Sequence, residues 1–223
     1  MAVDADSNVN LNDLLGVDVK DSIGSIREEM RKSVEKIPGG MTKQQFLEYK
    51  IHTSLVETHD FDLIAMGRPE GPGCYCYANN LLRDILKTLS DNYQYVVIDN
   101  EAGMEHLSRR TTQNIDYLLI VSNPSARGVR SAGRISRLLT ELDTRVSERH
   151  LILNRVREPI SDALNRIIAE EELPLLTTIP EDVVLLERDQ SGEPVWTAPM
   201  DTPAYQAVNE FMPKLLERGK NGL

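Results

Sequence analysis

Five short apolar runs punctuate the chain: Phe61–Met66, Tyr95–Asp99, Tyr117–Ser122, His150–Asn154 and Leu175–Ile179. Met1–Asp4 reads as the tail end of a sixth. Val96-Val-Ile98 and Leu118-Leu-Ile-Val121 are continuously apolar instead of alternating, the pattern of strands covered on both faces. Between the runs lie stretches with helical periodicity: Thr42–Glu57, Tyr77–Ser90, Met104–Asn114, Ala126–Arg145 and Ile160–Glu171. Alternation at this spacing predicts βαβ crossovers and an α/β fold with a doubly wound, mostly parallel sheet. Residues 16–41, ending Ile37-Pro-Gly-Gly40, read as a surface insertion of helix and loop. Tyr205–Leu223 is mildly amphipathic and reads as a packed terminal helix. With no internal repeat and no low-complexity linker, residues 1–223 are expected to form one domain.

Composition narrows the class of partner. There are 25 Lys and Arg against 35 Asp and Glu, a formal net charge of −10. That balance argues against a nucleic-acid footprint, which would show as a basic face. No apolar run approaches the ~18 residues of a membrane span, so no membrane role is expected. Two cysteines without a recognisable leader suit a reducing cytosol, so the expected location is cytoplasmic.

Both cysteines fall in Arg68-Pro-Glu-Gly-Pro-Gly-Cys74-Tyr-Cys76-Tyr77. In extended backbone a Cys-x-Cys pair points both sulfurs to one side. Cys74 and Cys76 so placed can grip one soft ion, Ni²⁺ or Zn²⁺, but supply only half of a four-ligand shell. A two-fold homodimer would complete it. The alternative is a pair of small apolar fillers.

Three carboxylates stand at strand ends. Val96-Val-Ile-Asp99 closes a buried strand at the edge where open α/β sheets bind ligands, and there an Asp can order a Mg²⁺-bound water. Many strands end in Asp, so this signal is weak alone. Asp4 and Asp6 close the first strand in the same way, with turn capping the competing role of Asp6. Asn154-Arg155 follows Leu151-Ile-Leu153 and could present an amide to a nucleobase edge, or serve as ordinary turn chemistry. Ile179 leads into Pro180-Glu181-Asp182, a loop that would wall the same base.

Taken together, these residues resemble the deviant-Walker P-loop ATPases that include MinD and the nitrogenase iron protein. Three stretches are similar to the accessory proteins of carbon monoxide dehydrogenase and acetyl-CoA synthase: Asp4-Ala-Asp-Ser-Asn8, Met66 to Tyr77, and Val97 to Thr111. The resemblance covers nearly the whole chain, and the Cys-x-Cys segment is specific to that subfamily. It implies ATP or ADP with Mg²⁺ as cofactor, and ATP-driven dimerisation tied to delivery of nickel into a dehydrogenase apo-enzyme. It implies further that Asp6 orients the attacking water with Asp4 close to Mg²⁺, that Asp99 is the Walker B carboxylate, and that Asn100–Arg110 is switch II. By the same resemblance Asn154 contacts adenine and Pro180 to Asp182 line the base through backbone groups.

Two departures matter. No Gly-x-x-x-x-Gly-Lys-[Ser/Thr] occurs in the 223 residues, and Gly39-Gly40 does not substitute for it. In the family that loop lies ~30 residues, about one βα unit, before the Asp-x-Asp strand. The expectation is therefore an N-terminally incomplete domain lacking first strand, loop and helix, with Met1 an internal methionine. Ser7 stands where relatives usually have proline, which should loosen the turn. Two functions follow as expectations: an ATP-dependent nickel-insertion factor, or a non-catalytic metal-binding dimerisation module.

Overall fold

The computed structural model describes residues 1–32, 37–68, 88–100, 114–142 and 144–220. They fall into two compact units, residues 1–111 and 112–223, each with its own sheet and core. Cys74, Cys76, and most of the helices expected over Tyr77–Ser90 and Met104–Asn114, lie outside the described residues.

In the first unit four strands run in the order β2-β3-β1-β4. They are β1 (Ala2–Asp4), β2 (Val56–Glu57), β3 (Asp62–Ala65) and β4 (Val97–Asp99). The pairs β1–β3 and β1–β4 are parallel, as crossover connections require, and only the short β2–β3 hairpin is antiparallel. A short helix α1 (Leu11–Leu15) follows the loop after β1 and stops at Gly16, whose φ of 66° only glycine adopts freely. Helix α2 (Ile23–Lys32) comes next, then α3 (Lys43–Ser54).

Residues 16–41 are more than a surface insertion. Ile23, Ile26 and Met30 recur at helical spacing on α2 and are all buried. Ile23 and Ile26 join Val3, Ala5, Ile51, Ile64, Met66 and Leu89 in the first core. The helix expected over Thr42–Glu57 opens with a reciprocal Thr42–Gln45 capping box but ends at Ser54. Val56 and Glu57 leave it to pair with Leu63 and Asp62, so sheet pairing overrides the helical period.

The second unit is a parallel sheet in the order β5-β6-β7. Its strands are β5 (Asn114–Ser122), β6 (Arg145–Val156) and β7 (Leu175–Pro180). Helix α4 (Ala126–Glu141) packs Val129 and Ala132 against Ile120, Leu151 and Leu153, and α5 (Asp162–Glu170) adds Leu164 and Ile168. Asn114 and Arg145, expected in helices, instead pair with each other at the start of the long β5–β6 ladder. Nor are the strands covered on both faces throughout: Val97 and Val121 are 61% and 58% exposed.

Two further helices close this unit: α6 (Val183–Ser191) and α7 (Pro203–Lys220). Helix α7 packs against β7 and buries Ala204 and Leu215, as expected of a packed terminal helix. No helix among the described residues is long and apolar enough to cross a membrane. Asp182 joins these elements. Its Oδ1 accepts from the Val184 and Leu185 amides at the start of α6, and its Oδ2 accepts from the Ala204 amide at the start of α7. Burial alone would raise this carboxyl's pKa. The three amide bonds, with the Thr202 hydroxyl adding to them, outweigh it and hold the group below its ordinary value of 3.8.

Asp182→Ala should therefore destabilise the protein by about 1–3 kcal/mol at neutral pH, from the lost cap and the stranded amides. Because the folded-state pKa is depressed, this contribution is present above 3.8 and is lost as pH falls through the lower folded value. Urea melts of wild type and variant should differ at neutral pH and converge in acid.

Candidate functional site

The parallel register of β1 and β4 places Asp4 directly opposite Asp99. Both are the last residues of their strands, so two carboxylates meet at the carboxyl-terminal edge of the sheet. Asp4 is buried, and its charge is answered by backbone: Oδ1 accepts from the Asp6 amide at 2.9 Å and Oδ2 from the Leu11 amide at 3.0 Å. Those bonds curl residues 5–11 over the strand end and bring the Asp6 carboxylate back toward the edge. Asp6 is held in turn by the Asn8 amide, 2.8 Å from Oδ1, and by Asn8 Nδ2 at 3.2 Å.

Three carboxylates give this edge a concentrated negative field. The Asp99 pKa is raised from 3.8, first by burial and then by the facing carboxylates of Asp4 and Asp6. A divalent ion here would relieve that repulsion, so the donor set fits Mg²⁺ with its water shell largely retained. Among the described residues, no three His, Cys, Asp or Glu side chains are grouped so as to hold a metal ion directly, so Mg²⁺ here would be held through its water. None of them makes a site for Ni²⁺ or Zn²⁺.

Pattern reading missed Val9. Its φ of 56° puts a β-branched residue in the left-handed region, a strained choice that structures keep mainly at functional loops. It packs near Gly67, whose own φ of 61° and closeness to Ser22 leave no room for a Cβ: one built there would lie 2.2 Å from Ser22 Oγ. The loop bearing Asp6 thus rests on the residue that leads from β3 toward the cysteine segment. Nothing in the residue type of Val9 signals this conformation. Asn100, the first residue of the expected switch II, bonds back to the Ile98 carbonyl at 3.4 Å. The rest of that stretch lies outside the described residues.

The second unit gathers the other candidates at the ends of β6 and β7. Val156 pairs with Pro180, and the Glu181 amide donates to the Val156 carbonyl at 3.1 Å. The ladder shifts register between Leu153 and Val156, and within that bulge Arg155 takes a φ of 58°. Asn154 Oδ1 accepts from the Arg155 amide, which leaves its Nδ2 as the donor for an incoming group. The Glu181 carboxylate is committed to Arg157, which donates from Nη2 to Oε1 at 2.8 Å, and the Asp182 carboxylate caps α6. Both acidic side chains of this loop are thus engaged within the protein. The structure thus collects Asp4, Asp6 and Asp99 at one edge, and Asn154, Arg155, Pro180, Glu181 and Asp182 at another.

No protein-family model matches the chain. Among curated proteins it is 42% identical over 220 residues to an uncharacterized ATP-binding protein of Methanocaldococcus jannaschii, covering 98% of this chain and 87% of that one. It is 26% identical over 229 residues to the carbon monoxide dehydrogenase accessory protein CooC of Rhodospirillum rubrum, covering 98% and 85%. Among solved structures, the MinD cell division protein of Aquifex aeolicus superposes with a TM-score of 0.62 at 22% identity, over 100% of this chain and 84% of that one. A ParA family ATPase of Chlorobium tepidum gives 0.64 at 20% identity, over 94% and 82%. These two likenesses establish the MinD/ParA-like α/β fold, and the Methanocaldococcus relative establishes kinship: the chain belongs to the MinD/ParA family of ATP-binding P-loop proteins.

Proposed function

We propose that residues 1–223 form a nucleotide-binding domain of an ATP-dependent metallochaperone that helps insert nickel into carbon monoxide dehydrogenase or acetyl-CoA synthase. In this reading it acts in the cytoplasm as a homodimer joined through Cys74 and Cys76, and its partner is the apo-enzyme. The observation that carries the nucleotide half is the register of Asp4 against Asp99 with Asp6 curled over both. The metal half rests on Cys74-Tyr-Cys76 and on the similarity to CooC across both chains.

Bound Mg²⁺-ATP would supply a phosphoanhydride whose hydrolysis resets the dimer. The chain's own residues have distinct tasks around it. Asp99 would accept hydrogen bonds from cation-bound water, Asp6 would orient the attacking water, and Asp4 would hold the loop that positions Asp6. Asn154 Nδ2 would donate to the base edge, beside Arg155 and the backbone of Pro180, Glu181 and Asp182. A second reading is favoured by one observation. The 223 residues contain no Gly-x-x-x-x-Gly-Lys loop, which suits a metal-binding dimerisation module that does not hydrolyse ATP. Measured ATP turnover that Asp6→Ala abolishes would favour the first reading over the second.

The dimer is tested by stoichiometry. Titration with Ni²⁺ or Zn²⁺ under light scattering should approach one ion per two chains, with dimer rising as metal is added. Cys74→Ser with Cys76→Ser should abolish both effects. One tight ion per monomer would overturn the shared site.

The carboxylate edge makes a separate expectation. A raised folded-state pKa means that the folded protein holds the Asp99 proton more tightly than the unfolded chain. Its charge therefore costs stability as pH rises from 3.8 through the raised value. Asp99→Asn should raise the melting temperature of the metal-free protein at neutral pH while weakening stabilisation by Mg²⁺ about tenfold or more in midpoint concentration. A lower melting temperature with Mg²⁺ response intact would make Asp99 a structural residue.

A further inference from the structure

Helix α4 carries Arg127, Arg130, Arg134 and Arg137, and all four are exposed. Their 3-4-3 spacing keeps them within one stripe about 15 Å long, at ~1.5 Å of rise per residue. Residues 117–140 contain these four arginines and not one Asp or Glu, in a chain whose formal net charge is −10. Such segregation is not what a solvated helix face needs, since mixed charges dissolve a helix equally well. Arg137 is partly engaged: its Nη1 donates to Glu171 at 2.9 Å, a carboxylate that lies across Gly133. Arg134 donates to Ser131 Oγ on its own helix. Arg127 and Arg130 make no ion pair among the described residues, so the amino-terminal half of the stripe carries the least compensated charge.

We propose that this face of α4 is a docking surface for an acidic amphipathic helix of a partner protein. Three features choose that occupant. First, carboxylates at three- and four-residue spacing on a facing helix repeat over the same ~15 Å as the arginines. Second, a groove of about 400 Å³ meets the stripe at Arg127, lined in part by the apolar Ile120, Val121, Ala132 and Ile135 and in part by serines and Asn123. Its apolar part takes a Leu side chain from the same helix and its serines take polar groups beside it, a mixture that an amphipathic helix offers. Third, the acidic balance of the whole chain repels an extended polyanion. A duplex or an anionic bilayer reaches well past the ~8 Å over which salt screens charge and meets the acidic remainder, while a single helix touches only the stripe. The proposal stands on α4 alone and needs neither nucleotide nor metal.

Fluorescence anisotropy tests it, with a fluorescein-labelled peptide of about 15 residues bearing Glu at three- and four-residue spacing and Leu on the adjoining stripe. The chain should bind this peptide with an affinity that falls as salt rises. Arg130→Glu with Arg134→Glu should weaken binding about tenfold or more, and Arg130→Lys with Arg134→Lys should stay within about threefold of wild type. Both pairs are exposed, so thermal melts should match wild type and confirm that each variant is folded. Failure to bind the acidic peptide overturns the proposal, as does equal binding by wild type and the Glu variant. Tighter binding to duplex DNA or to phosphatidylglycerol vesicles than to the peptide overturns it in favour of those surfaces.

Discussion

The site depends on one register. Asp4 lies opposite Asp99 because β1 runs parallel to β4 with Ala2 against Val97, and a one-residue slip would carry the Asp99 side chain to the other face of the sheet. Burying Asp4 would be prohibitive were it unanswered. The Asp6 and Leu11 amides answer it, and in doing so they fix the path of the chain after the strand. The same two bonds therefore tolerate a buried charge, fold the loop and deliver Asp6. Asp99 then faces two carboxylates and is left with a proton affinity above its ordinary value. An edge built this way is costly to the empty protein and suits a cation, as ligand sites commonly do.

What could be read from the sequence follows from how local each cause is. Strand-end carboxylates were legible, because an apolar run followed by Asp places that residue at the sheet edge whatever the neighbours do. The parallel α/β character was legible for the same reason. Element ends were less so: Val56 and Arg145 look like helix continuations until Leu63 and Asn114 are found beside them. Helix α6 was missed: it opens on two β-branched residues, Val183 and Val184, which do not announce a helix. Asp182 caps it nonetheless, and Gly192, at a φ of 72°, ends it. The burial of α2 was hidden in a stretch whose glycines and proline suggested surface loop. Val9 lay beyond sequence reasoning altogether, since its strained φ falls between two amides, Asn8 and Leu11, that are tied back to Asp6 and Asp4.

Net charge alone misdescribes this molecule. An acidic total of −10 conceals a cation-seeking edge in the first unit and an anion-seeking helix in the second. These are local fields, and within a Debye length of about 8 Å local arrangement governs what binds, while the total governs what approaches. The choice of side chain carries the same logic. All eight Lys and Arg positions from Thr112 through Arg157 are arginine. Arg149 shows what the guanidinium allows: from β6 it donates to the Ser136 carbonyl and to Thr140 Oγ1, stitching strand to helix through one group. Lysine would offer a point charge there. Arginine on the outer face of the same helix keeps the same capacity for planar, two-pronged contact with carboxylates. A surface rich in arginine and poor in lysine is the composition of a recognition face, in contrast to one kept merely soluble.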